Sequence, residues 1–151
     1  MHTSFAPTAM TTLTQKAAAV VAGTFVLVGI LGFVPGVTTN YDDMTFAGHE
    51  SGAQLLGIFA VSVLHNIVHL VFGVAGFLLA TSWDGARAFL IGGGAVYLLL
   101  TIYGLLLDRH EEANFVPLDK ADNWLHLVLG LGMIALGTFV ARADNDASDP
   151  R

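Results

Sequence analysis

His65 and His69 stand four residues apart in the run HNIVHLVFGVAGFLLA, and Asp122 and His126 stand four apart in DNWLHLVLGLGMIALG. On an α-helix, residues at i and i+4 share a face, one turn apart. One helix would therefore offer two imidazoles to a neighbour, and the other a carboxylate and an imidazole. Three ring nitrogens and a carboxylate oxygen are a donor set for a divalent metal such as Zn²⁺, Mn²⁺ or non-haem iron, with Asn66 and Asn123 orienting the rings from behind. A second chemistry is a b-type haem held between His69 and His126, since haem iron accepts axial histidine. A third reading needs no cofactor: in a membrane helix each Asn-x-x-His pair ties its helix to a neighbour by hydrogen bonds worth about 0.6–2 kcal/mol. That structural reading is preferred, with the metal ahead of the haem. The His65-Asn66-x-x-His69 spacing also occurs in zinc proteases, but Asn stands where their general base should be, so that reading is rejected.

The segments carrying these residues align on each other without gaps. His65–Ala80 on Asp122–Gly137 matches Asn66 with Asn123, His69 with His126, Leu70 with Leu127, Val71 with Val128 and Gly73 with Gly130. Phe-Val-Pro also occurs twice, at Phe33–Pro35 and Phe115–Pro117. The histidine faces continue as Gly73, Gly76 and Ala80, and as Gly130, Met133 and Gly137. Small residues mark where membrane helices approach closely, so the imidazoles are expected to point into a bundle.

Four almost uncharged stretches, near 17–36, 64–83, 88–107 and 123–141, have the length of about twenty residues that an α-helix needs to cross a hydrocarbon core. The predicted fold is all-α, a four-helix transmembrane bundle of two pseudo-repeated helical hairpins over 16–142. A cytoplasmic segment, 1–15, precedes it and a disordered polar tail, 143–151, comes after it. The first hydrophobic run reads as a retained span, because no charged n-region or small-residue cleavage site accompanies it. A tight hairpin, Thr81–Arg87, joins spans two and three. The loops Pro35–Ser51 and Asp108–Asp122 are longer and acidic. Residues Gly52–Leu64 exceed what one span requires, so they are expected either as a helical turn or two in the interface or as part of one long tilted helix. Lys16, Arg87 and Arg142 flank one side of the spans and Arg109 and Lys120 the other, which predicts both termini in the cytoplasm.

Composition narrows the function. Hydrophobic residues make up 54% of the 151 and charged residues 12%, against roughly a quarter charged in a soluble domain. With no cysteine, disulfides, thiolate metal sites and iron–sulfur clusters are excluded. Six Lys and Arg in a chain of net charge −6 leave no basic stripe for nucleic acid. Gly92-Gly93-Gly94 lacks the Lys and Ser/Thr of a phosphate loop and reads as close helix packing. Tyr97, Thr101 and Tyr103 read as ordinary bundle residues.

The strings GFVPGVTTNYDDMTFAGHESGA, SVLHNIVHLVFGVAG, GGGAVYLLLTIYGLL and NFVPLDKADNWLHLVLGLGMIALG resemble, in that order, a family of small bacterial four-span membrane proteins catalogued as a domain of unknown function. The resemblance covers about Val28 to Arg142. It implies the four-helix membrane architecture and brings no reaction, substrate or site residues. The expected function is a non-catalytic membrane component or assembly partner, in contact with the lipid bilayer and with copies of itself or a larger membrane complex. The alternatives are a membrane metal-binding protein using His65, His69, Asp122 and His126, and a haem b electron carrier using His69 and His126.

Overall fold

The computed structural model describes residues 11–48, 50–106 and 119–148. Four helices form the bundle: α1 (Leu13–Leu31), α2 (Val63–Leu79), α3 (Trp83–Leu106) and α4 (Lys120–Ala135). The last runs through a π-helical turn, Leu136–Val140, into α5 (Ala141–Ser148). His49, and the loop residues 107–118 with His110 and the second Phe-Val-Pro, lie outside the described residues.

Each helix start has a local chemical cause. Thr12 and Gln15 form a reciprocal capping box at α1, with Gln15 N–H donating to Thr12 Oγ1 at 3.2 Å and Thr12 N–H to Gln15 Oε1 at 3.2 Å. Ser62 Oγ accepts from His65 N–H at 3.2 Å and opens α2. Ser82 Oγ accepts from Gly85 N–H at 3.1 Å, which starts α3 earlier than the apolar run does. The predicted hairpin Thr81–Arg87 therefore shrinks to the three residues 80–82 between α2 and α3. Asp119 and Asp122 form a second capping box at α4.

Three helices, Leu13–Leu31, Trp83–Leu106 and Lys120–Ala147, are long and apolar enough to cross a membrane. The fourth, α2, is apolar and has 17 residues. Large apolar side chains stand exposed along the bundle, among them Val20, Val71, Leu99, Val128 and Phe139. Water would penalise such a surface and lipid does not. The chain is a membrane protein.

Packing is by hairpins. A Cβ at Gly73 of α2 would lie 2.7 Å from Ala22 O and 2.8 Å from Val26 N of α1, and one at Gly94 of α3 would lie 2.7 Å from Gly130 O of α4. The backbones touch there because no side chain intervenes. Within the glycine triplet the expected close packing holds for Gly93 and Gly94 but not Gly92, whose outer side is open. The central core gathers Ala18, Ala22 and Phe25 of α1 with Phe89, Leu90 and Tyr97 of α3 and Met133 of α4.

One expectation is corrected. Residues 52–62 are neither an interfacial helical turn nor an extension of α2, which begins at Val63. Strands β2 (Gln54–Leu55) and β3 (Phe59–Ala60) pair antiparallel, and β2 pairs with β1 (Thr38–Thr39), in the order β1-β2-β3. Leu56 and Gly57 take φ of 54° and 70°, the left-handed pair that turns a hairpin and cannot continue a right-handed helix. Ala53, Leu55 and Val61 then bury against Val28, Leu31 and Val37 in a small core of their own. Toward the C-terminus α5 is helical from Ala141 to Ser148, and its Asp144 accepts hydrogen bonds from Leu13 N–H at 3.1 Å and Thr14 N–H at 2.8 Å at the start of α1.

Candidate functional site

Helices α2 and α4 turn the four predicted residues inward at the sheet end of the bundle. His65 and His69 are each 8% exposed, His126 3% and Asp122 2%. All four line one cavity of about 210 Å³, walled by Val28 of α1, Leu125 of α4 and Leu55 and Phe59 of the sheet. The three histidines also line a second cavity of about 230 Å³, bounded by Val68 of α2 and Val96, Tyr97 and Leu100 of α3. The imidazoles thus form a partition between two apolar spaces, with the small sheet against one of them.

The rings are held by stacking and by one tautomer-setting bond. His65 and His69 stack with centroids 4.4 Å apart and planes at 18°. His69 Nδ1 lies 3.0 Å from His65 O. A carbonyl only accepts, so Nδ1 carries the proton and the Nε2 lone pair is left for another partner. Phe25 of α1 lies beside His69 at 5.6 Å and Tyr97 of α3 lies edge-on to His126 at 5.0 Å, while Phe25 and Tyr97 stack on each other at 5.3 Å. Tyr97 is therefore more than an ordinary bundle residue: it is the aromatic wall of His126. Buried His126 Nδ1 has no hydrogen-bond partner among the described residues.

Asp122 does a different job from its histidine neighbours. Its Oδ2 accepts from Asp119 N–H at 3.1 Å and from Ala60 N–H at 3.2 Å, joining the first turn of α4 to strand β3. The signal was present in the sequence as Asp119-x-x-Asp122, a capping-box spacing with Asp in both places.

Asn66 and Asn123 do not orient the imidazoles. One residue further along a helix is about 100° round its axis, so both amides face the partner within their own hairpin. Asn123 Nδ2 donates to Gly104 O of α3 at 3.0 Å, and Asn66 Nδ2 reaches Met44 Sδ at 3.9 Å. Each amide occupies space a side chain would need: a Cβ at Gly32 would fall 2.1 Å from Asn66 Oδ1, and one at Gly104 within 1.9 Å of Asn123 Oδ1.

The geometry limits what the cluster can hold. Among the described residues no three His, Asp or Glu side chains are placed to hold a metal ion together. Both cavities are smaller than the ~300–1,000 Å³ typical of small-molecule sites, and a haem is large within that class. As the side chains stand, neither space fits a haem between His69 and His126.

No curated protein and no solved structure matches the chain. One family model does, over residues 15–139, described as Domain of unknown function (DUF4383). That match takes in all four bundle helices from Gln15 on, and the chain belongs to this family of proteins sharing a domain of unknown function.

Proposed function

We propose that this protein is a non-catalytic membrane component that crosses the bilayer four times, with both termini cytoplasmic, and that its buried polar residues hold the bundle together. The observation that carries this reading is the use of those residues: Asp122 joins β3 to α4, Asn123 joins α4 to α3, and His69 bonds back to α2. The seventeen residues of α2 rise about 26 Å, close to the ~30 Å hydrocarbon core. The test is elemental analysis and an absorption spectrum of the purified protein. A colourless protein without stoichiometric metal is expected, with His69→Ala and His126→Ala each costing about 1 kcal/mol of stability through the lost ring contacts with Phe25 and Tyr97. A Soret band, or a bound metal lost in either variant, would overturn the reading.

A metal centre is the second reading, favoured by the unprotonated Nε2 of His69 and by three imidazoles sharing both cavities. Under it, His65, His69 and His126 are ligands and Asp122 contributes its other oxygen.

The two hairpins are also proposed to be repeats. One constant shift in residue number carries Ala22, Phe25, Val26 and Gly32 of the first hairpin onto Gly94, Tyr97, Leu98 and Gly104. The contacts correspond: Gly73 meets Ala22 and Val26, as Gly130 meets Gly94 and Leu98. His69 meets Phe25, as His126 meets Tyr97.

A further inference from the structure

At the end of the bundle away from the sheet, α3 begins beside the π turn and α5. A cavity of about 260 Å³ opens there, lined by Trp83 and Arg87 of α3, Thr138 of the π turn, and Ala141, Arg142 and Asn145 of α5. Two guanidinium groups from different helices share this space. Arg87 lies over the Trp83 ring, 5.9 Å from its centroid, and among the described residues neither arginine forms an ion pair. Trp83 Nε1 is buried without an acceptor. An indole nitrogen only donates, and leaving it unmatched away from water is unfavourable. The nearby acids stay out of the cavity: Asp84, Asp144 and Asp146 do not line it, and Asp144 is bonded to α1.

The backbone supplies a second observation. A π turn places one more residue in the turn than an α-helix does and is frequent where a helix serves a site. Here it spans Leu136–Val140, and an added residue rotates the remainder of the helix by about 100°. Arg142 therefore joins Arg87 on the cavity wall instead of keeping the phase set by α4. Thr138 Oγ1 donates to Ile134 O at 2.7 Å, which steadies the distortion.

We propose that this cavity binds a phosphate group, presented by the headgroup of an anionic phospholipid. Two guanidinium groups without an ion pair among the described residues and a buried N–H donor are complementary to an oxyanion, and none of the described residues lining the cavity is acidic. The depth matches a lipid source. Apolar sequence runs from Ala88 into α3 and ends at Ala141 in the last helix, so both arginines stand where hydrocarbon gives way to headgroups, the level at which Trp also settles.

The test uses the full chain purified in a neutral detergent, read by native mass spectrometry and thermal unfolding. The probes are phosphatidylglycerol, a phosphate-free glycolipid with the same acyl chains, and inorganic phosphate alone. Phosphatidylglycerol should be retained and raise the Tm more than the glycolipid. Arg142→Gln should weaken its binding about fivefold, and Arg87→Gln with Arg142→Gln about 25-fold, at roughly fivefold per arginine near a charged surface. Trp83→Phe, which keeps the ring and removes the donor, should weaken it as well. The Arg142 side chain makes no hydrogen bond or ion pair among the described residues, so Arg142→Gln removes none. If inorganic phosphate alone protects as well as the lipid, the phosphate site stands and its source is soluble. Equal retention of phosphatidylglycerol and glycolipid, or binding unchanged in both Arg142→Gln and Trp83→Phe, overturns the proposal.

Discussion

Replacing Gly73 by Ala tests whether the first hairpin is held by direct backbone contact. The new Cβ would sit 2.6 Å from Val26 Cγ2, 2.7 Å from Ala22 O and 2.8 Å from Val26 N. The methyl of Val26 can rotate away, but the other two atoms belong to the α1 backbone, so α1 and α2 must part by about 0.7 Å to restore an ordinary 3.4 Å contact. A gap of 0.5–1 Å forfeits roughly a quarter to a half of each dispersion contact along a seam, and overpacking a tight site costs about 1–3 kcal/mol. Helix propensity favours Ala by about 1 kcal/mol, so Gly73→Ala is expected to lose up to about 2 kcal/mol net. Gly92→Ala is the matched control, because nothing lies within 4 Å of its Cβ position. It gains the propensity and meets no clash. Unfolding both variants in mixed micelles by titration with a denaturing detergent gives the two stabilities directly. If Gly73→Ala proves as stable as Gly92→Ala, the helices are not in backbone contact at Gly73 and the packing account fails.

Asn123→Ala removes the bond to Gly104 O and should cost about 0.6–1.7 kcal/mol in the same assay; an unchanged midpoint would mean the amide is not holding α4 to α3. Asp144→Ala deprives two α1 amides of their acceptor and should cost about 1 kcal/mol, with faster hydrogen exchange at Leu13 and Thr14. Exchange unchanged at both amides would show that they have another partner. The chain has no cysteine of its own, so Thr39→Cys and Ser82→Cys can be probed singly with an impermeant thiol reagent in intact cells. Thr39→Cys should react and Ser82→Cys should not; the opposite pattern inverts the membrane orientation.

The helices were legible because each apolar stretch has the length of a span. The inward turn of His65, His69, Asp122 and His126 was legible because Gly73 and Gly130 continue the same faces. The run from Gly52 to Leu64 was not, since a short apolar run looks alike in a buried strand and a helix; the deciding feature is the pair of positive φ angles at Leu56 and Gly57. The spacing of Asp122 to His126 hides its spacing to Asp119 at the helix start. Proximity in sequence links Asn66 and Asn123 to the histidines, whereas helical phase sends them to Gly32 and Gly104. Arg87 and Arg142 serve in the sequence only to orient the spans, because nothing there announces the π turn that brings them to one cavity.

The hydrogen bonds from α1 to Asp144 impose an order on assembly. Of the first three amides of α1, Gln15 finds its acceptor in Thr12, while Leu13 and Thr14 find theirs about 130 residues later in the chain. During synthesis these two donors at the start of the first helix are left to water until the last helix has been made and brings Asp144. The bundle is thus fastened by the last piece to arrive, as a clasp joins the ends of a strap. Expressed as separate halves, the first hairpin would keep a frayed start until the second docked and supplied Asp144.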